Sequence, residues 1–492
     1  MMSPAIRLVV STLGYLATAL QEPHSYRKIQ SAFSNNTVRI KRYHEARHNQ
    51  KDAPLMLWLQ GGPGASSLIG MLYENGPCLT DGPAKTKFNP YSWTEHFSMI
   101  YLDQPVGVGM SYLDSEHDGQ GYPKGVEDSS LDIVAFIKLF YEAFPHLATS
   151  DLHLGGESYA GRYVPALAST ILEYNEILST APLSTSTAQE GTIPLRSLMI
   201  GNPLIDPLTQ LPTMYDVSCY EYRGYEPHLT PKECFAALEA LDKLEPLLRA
   251  CFRGGSDPLI CGAANLMIDD PFENVWNVTR SLYDRRIRDC PAPDKCFADL
   301  PNVSAYLNAN KVFEELLEVP AQTNHKVAAW EPSDEATGKR FSESGDIAMT
   351  STNYLRHVLD FGRQGRKDLS SQRGPVTRPI DALIYVGVTD ISCNAEGVFA
   401  ALKEVEWEGR APFRAVPWKD LPLRTSRGAS TGRVKMVPNL WMVELNEAGH
   451  MVPYDQPELA LDLAKHWLYS IQQSGLSFKH EPMVDQQSVL EL

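Results

Sequence analysis

The chain has 492 residues, 43% of them apolar and 21% charged, enough to bury a substantial core, which excludes a minimal module and a polytopic membrane protein. Its 44 Lys and Arg face 60 Asp and Glu, a formal net charge of −16 with no basic run long enough to follow a phosphate backbone. Nucleic acid is therefore not an expected partner.

The first predicted element is a leader over residues 1–19. Arg7 precedes the apolar run Leu8–Leu16, and Ala17-Thr18-Ala19 offers small residues at a cleavage position, so the stretch reads as a secretory signal peptide. No stable membrane association is expected once it is removed, and the destination is the exterior or a vacuole. Sequons at Asn35, Asn277 and Asn302 fit passage along that route. From there, apolar runs at Leu55–Leu59, Ser98–Leu102, Leu152–Gly155, Leu198–Ile200, Ala382–Val388 and Leu440–Leu445 predict strands. Amphipathic periods at Val126–Phe144 and Arg162–Leu178 predict helices between them. A last helix is read from Asp455, with Pro457 in its first turn and an apolar face through Leu459, Leu463, Trp467 and Ile471. The alternation predicts an α/β fold with a mostly parallel central sheet flanked by helices.

Two stretches depart from this rhythm. Ser179–Gly191 is rich in Ser, Thr and Pro and reads as a surface loop. Residues 203–346 carry helical patterns without strand alternation and read as an inserted cap between core segments 37–202 and 347–475. Cys219, Cys234, Cys251, Cys261, Cys290 and Cys296 all fall inside that insertion. No Cys-x2-Cys pair occurs, and the secretory context favours disulfides over zinc, although spacing alone does not choose the pairing.

The chemistry begins at Gly156-Glu157-Ser158-Tyr159-Ala160-Gly161, directly after a short strand. Small residues around one serine at a strand-to-helix turn expose its hydroxyl, which makes Ser158 the candidate nucleophile. A serine hydroxyl needs a base, and the base an orienting acid. Asp390 follows the strand Ala382–Val388 closely, whereas Asp381 lies at its opposite end. His450 follows the strand that ends at Leu445. The order Ser158, Asp390, His450 is that of α/β hydrolases. The glycine turn Gly61-Gly62-Pro63-Gly64 can aim the Gly62 N–H at the serine, and with the Tyr159 N–H it would form the oxyanion hole.

These motifs, with Trp58–Ser67, Glu74-Asn75-Gly76-Pro77, Tyr101–Gly109, Gly201-Asn202-Pro203, Asp390–Asn394 and Gly449–Pro453, resemble the serine carboxypeptidase family, most closely its fungal secreted members. The resemblance spans about Thr37 to Ile471. It implies an α/β-hydrolase core with a largely helical insertion, no cofactor, no metal, and release of C-terminal amino acids from peptides or proteins at acidic pH. It also implies recognition of the substrate carboxylate by Trp58, Gln60, Glu74 and Glu157, and pairings Cys219–Cys234, Cys251–Cys261 and Cys290–Cys296 with Cys78 and Cys393 free. The family carries Asn where Gln60 stands, usually Cys where Ala65 stands, and Asp where Val388 stands. Two other functions fit the same residues: an acyltransferase of the family that uses sugar esters, and a catalytically silent carboxylate-binding relative.

Overall fold

The structure is a computed structural model. It describes residues 44–48, 52–83, 85–113, 121–180, 191–253, 257–268, 280–290, 296–309, 312, 329–361, 379–423, 426 and 431–474, with strand residues 6–7, 9–10, 27–30 and 37–40. Asn35, Asn277 and most of the stretch read as a leader lie outside them. So do residues 181–190, the greater part of the Ser/Thr/Pro-rich loop; Ile6–Arg7 and Val9–Val10 form two-residue strands.

Eight strands form the central sheet: β1 (Leu55–Leu59), β2 (Ser98–Tyr101), β3 (Leu152–Glu157), β4 (Leu195–Gly201), β5 (Asp381–Gly387), β6 (Lys419–Asp420), β7 (Gly432–Val437) and β8 (Leu440–Leu445). Their spatial order is β6-β7-β8-β5-β4-β3-β1-β2. From β8 to β2 every pairing is parallel, while β6 and β7 add an antiparallel edge. A parallel sheet must be covered on both faces, which is why its strands are buried almost along their whole length rather than at alternate residues. Leu55, Leu57 and Leu59 point into one core with helices α1 (Val126–Ala143) and α2 (Ala160–Thr180). Met56 and Trp58 point into the other, against α3 (Pro457–Ser474) through Leu459, Leu463 and Trp467.

Three elements differ from the sequence reading; one is β6, two exposed residues for which no strand was expected. Strand β7 was not expected: it pairs residue by residue with β8 across the short turn at Pro438–Asn439, and half-exposed Arg433 and Met436 interrupt its apolar run. The last helix starts at Pro457, not Asp455. The Asp455 carboxylate is already engaged by the Gly449 N–H at 2.6 Å and the Arg286 guanidinium at 3.1 Å, so it ends a separate short turn, Val452–Asp455, instead of capping α3.

Between β4 and β5 the regular elements among the described residues are helices, including Pro207–Cys219, Pro231–Arg253, Pro258–Leu266, Leu300–Leu307 and Glu335–Glu343. Disulfides Cys219–Cys234, Cys251–Cys261 and Cys290–Cys296 join residues 15, 10 and 6 apart, and Cys78 and Cys393 are unpaired. At Ala65 a backbone bridge joins the glycine turn to the helical block: Ser66 N–H donates to Pro332 O and Asp334 N–H to Gly64 O, both at 2.9 Å. No described helix is long and apolar enough to cross a membrane.

Candidate active site

Because β1, β3, β4, β5 and β8 run parallel, their C-terminal ends share one edge of the sheet, where the loops of an open α/β sheet build sites. Register brings the residues together there. Leu59 pairs with Gly156, so Gln60 follows beside Glu157; Glu157 pairs with Gly201, so Ser158 follows beside Asn202.

Ser158 leaves β3 with φ of 65°, the left-handed region that a side-chain-bearing residue enters only under constraint. Its N–H donates to Gly201 O at 3.0 Å, and its carbonyl accepts from Gly161 and Leu204 N–H, each at 2.9 Å. The backbone is pinned on both sides while the residue stays half-exposed among buried neighbours. Gly61 must be glycine. A Cβ there would lie 2.5 Å from Tyr159 N and 2.7 Å from Ser158 Cβ, so the glycine turn lies directly against the serine turn. The next residue, Gly62, has φ of 109°.

Asp390 and His450 come from the loops after β5 and β8. His450 Nδ1 and Asp390 Oδ2 are 2.7 Å apart, both side chains buried. The carboxylate is held from other directions: Ser392 N–H reaches Oδ1 at 2.9 Å, Cys393 N–H reaches Oδ2 at 3.2 Å, and Asn202 Nδ2 donates to Oδ2 at 2.7 Å. Asn202, fully buried with φ of 40°, is itself fixed, since its Oδ1 accepts from Gly387 N–H and its N–H donates to Tyr385 O. The Cys393 thiol lies within 4.8 Å of the pair, and burial pushes its pKa up, so it stays protonated. The His–Asp hydrogen bond thus accounts for that grouping of metal-capable residues. From the helical block, Tyr283 covers the imidazole: its ring centroid lies 4.9 Å from that of His450, and its carbonyl accepts the His450 N–H at 2.8 Å.

Beside this lies a second constellation. Gln60 Nε2 donates to Glu74 Oε1 at 3.2 Å and to Glu157 Oε1 at 3.0 Å, while Trp58 Nε1 donates to Gln60 Oε1 at 3.0 Å. The amide that sequence reasoning assigned to the substrate is thus occupied by the two carboxyls. The extra methylene of Gln lets one side chain bridge both. Glu74 and Glu157 are buried, and each leaves Oε2 without a donor. Burial pushes Glu74 up to about 7 and raises Glu157 well above the usual carboxylate range, to which the neighbouring Glu74 charge adds. Such a pair holds a proton at neutral or lower pH and can donate it as a hydrogen bond.

Two contributors escaped the sequence reading. Asn202 was visible only as part of a motif, its bond to Asp390 depending on a tertiary pairing. Tyr283 had no signal, for it reaches His450 from a loop about 170 residues away in sequence. Val388, where the family has Asp, is buried and donates its N–H to Leu445 O at 3.0 Å.

Residues 42–470 match the family model for serine carboxypeptidases. The carboxypeptidase Y of Candida albicans is 33% identical over 428 residues, 87% of this chain and 70% of that protein. A vacuolar serine-type carboxypeptidase of Saccharomyces cerevisiae is 32% identical over 432 residues, 87% of this chain and 75% of that one. The solved structure of a prohormone-processing carboxypeptidase from Saccharomyces cerevisiae superposes with a TM-score of 0.68 at 23% identity, covering 86% of this chain and 85% of the other, and shares the fold. The chain belongs to the serine carboxypeptidase family and is built on the α/β-hydrolase fold.

Proposed function

We propose that this serine carboxypeptidase works through an acyl-enzyme on Ser158 and is most active at acidic pH. The observation that carries the proposal is the adjacency of two units at one sheet edge: the Asp390–His450 pair beside a strained serine, and a buried carboxyl pair with a raised pKa. Ser158 Oγ attacks the last peptide carbonyl and its proton passes to His450 Nε2, which delivers it to the departing amino acid. Water then opens the ester by the same route. The Gly62 and Tyr159 N–H groups receive the oxyanion. Glu74 and Glu157, bridged by Gln60 and backed through it by Trp58, hold the substrate carboxylate, with a protonated carboxyl of the pair as donor. Core segments 37–202 and 347–475 supply the chemistry, and residues 203–346 cap it. The sequons at Asn35, Asn277 and Asn302 and the leader over residues 1–19 place the enzyme on the secretory route, toward a vacuole or the exterior.

An N-blocked dipeptide is the direct test: it should lose its C-terminal amino acid, whereas an acyltransferase would instead move the acyl group of a sugar ester to an alcohol. With the dipeptide, KM should rise as pH passes upward through about 7, where Glu74 loses its proton and its buried charge repels the carboxylate. Stability should follow the same sign. The folded state holds the proton more tightly than an unfolded carboxyl near 4.5, so the contribution is complete below that pH and lost as pH rises through about 7. Steady-state kinetics on Glu157→Gln checks the assignment: a KM as steeply pH-dependent as wild type would remove the pair from the site.

Asn202→Ala separates positioning from binding. The loss of one hydrogen bond to a charged carboxylate, about 1.5–3 kcal/mol, should lower kcat roughly tenfold to a hundredfold with KM nearly unchanged. An equal rise in KM with no change in kcat would show that Asn202 does not act through Asp390.

A further inference from the structure

Tyr385 belongs to neither unit of the site, yet it shares a rung of the sheet with one of them. Glu157 on β3 pairs with Gly201 on β4, and Gly201 pairs with Tyr385 on β5. Paired residues of a parallel sheet project to the same face, so Glu157 and Tyr385 stand on one side with only a glycine between them. The phenol fills that gap. A Cβ at Gly201 would lie 2.6 Å from Tyr385 Cε2 and Cζ and 2.7 Å from its Oη, so the ring lies across β4 and carries its hydroxyl toward the strand of Glu157. Trp93 meets the same ring at a centroid distance of 6.5 Å, and Tyr385 is 1% exposed.

The carboxyl pair is short of donors. Gln60 Nε2 serves Oε1 of both residues, while Oε2 of Glu74 and of Glu157 is buried with none. A negative charge formed there has to be met by a dipole of the protein itself. Tyr101, which the Glu74 charge also reaches, has committed its hydroxyl to Asn75 Oδ1 at 2.9 Å. The Tyr385 hydroxyl is buried and has no partner. Burial first, then the charges of Glu157 and Glu74, raise its pKa well above the ordinary value, so it stays protonated and able to donate. The other groups around the pair are Asp390 and Asp455, whose charges oppose its ionisation, His450, which favours it, and the neutral Tyr73 and Cys393.

On the reading that the pair holds the substrate carboxylate, we infer that Tyr385 is a positioning residue for it: the hydroxyl turns its hydrogen toward the negative charge that the pair acquires, and so favours the ionised form that cannot take substrate. A phenol O–H rotates about its C–O bond without moving the ring, so the packing over Gly201 is unchanged when the dipole reorients. Tyr385 thereby holds the upper pH limit of substrate binding below the one that burial alone would set.

Tyr385→Phe tests this, because it keeps the ring over Gly201 and strands no hydrogen-bond partner. In the full-length variant the KM of an N-blocked dipeptide should stay low to higher pH, its midpoint displaced upward by on the order of half a unit to one unit, the scale on which one oriented dipole acts on a buried carboxylate. The pH dependence of kcat, which follows His450, should keep its place. A second readout needs no substrate: in enzyme labelled with 13C-glutamate, the infrared band of the protonated carboxyl that Glu157→Gln alters should titrate at a correspondingly higher pH in Tyr385→Phe than in wild type. A shifted band with an unshifted KM upholds the action of Tyr385 on the pair and instead removes the substrate carboxylate from the pair. An infrared midpoint equal to that of wild type overturns the inference, whatever KM does.

Discussion

Ser158→Ala, and separately His450→Ala, should lower kcat/KM by about four to six orders of magnitude while leaving the far-UV spectrum and cooperative unfolding intact. The reason is mutual dependence. A serine hydroxyl without a base is a weak nucleophile, and a base without the serine has nothing to activate, so removing either member costs nearly the whole contribution of the unit. Backbone geometry supplies a second signature at the same position. Ser158 holds a φ of 65°, which costs a side-chain-bearing residue on the order of 1–2 kcal/mol and glycine almost nothing. Ser158→Gly should therefore be as inactive as Ser158→Ala, yet unfold at a higher temperature than the alanine variant. Residual activity within tenfold of wild type in either purified variant would eliminate Ser158 as the nucleophile. Equal stability of the two would mean that the turn is not strained.

The largest expected effect on stability lies one layer below. Asp346 is buried where the helical block returns to the core; its Oδ1 accepts from the Tyr159 hydroxyl and from Arg162 Nε and Nη2 at 3.3 Å, and its Oδ2 accepts the Val126 N–H at 3.1 Å. Removing one partner of a buried ion pair leaves the other charge desolvated and uncompensated. Asp346→Ala should thus lose about 3–5 kcal/mol, read from denaturant unfolding. The double replacement Asp346→Asn with Arg162→Met should recover part of the loss, since it takes away the stranded charge as well. A single variant within about 1 kcal/mol of wild type would show that Arg162 finds its compensation elsewhere; Met349 O, 2.6 Å from Nη1, is the first place to look. Activity should fall together with stability, because Tyr159 directly follows the nucleophile.

Legibility in the sequence followed the range over which each signal acts. Ser158, Asp390 and His450 could be placed because each sits just past a continuous apolar run, and a parallel sheet gathers such positions at one edge. Strand β7 was hidden because Arg433, Lys435 and Gly432 break the apolar run that marks the parallel strands. The start of the last helix was misplaced for a different reason: Asp455 has the right chemistry for a cap, but a tertiary partner, Gly449, uses its carboxylate first. Gln60 shows the limit of matching by residue type. The register of β1 against β3 sets its amide beside Glu157, and the turn at Gly70–Glu74 brings Glu74 to the same amide. Asn202 and Tyr283 depend wholly on long-range contacts, to which no local pattern corresponds.

The three disulfides close loops of 15, 10 and 6 residues, all inside the helical block, and none ties that block to the sheet. Cross-links this short leave the block's attachment to the core untouched. Docking instead relies on exchangeable contacts: backbone bridges at Ala65, the Asp346 cluster and the Tyr283 carbonyl on His450. The two parts are consequently separable in inheritance. The block can lengthen, shorten or change its loops over generations under its own staples without disturbing the sheet edge beneath.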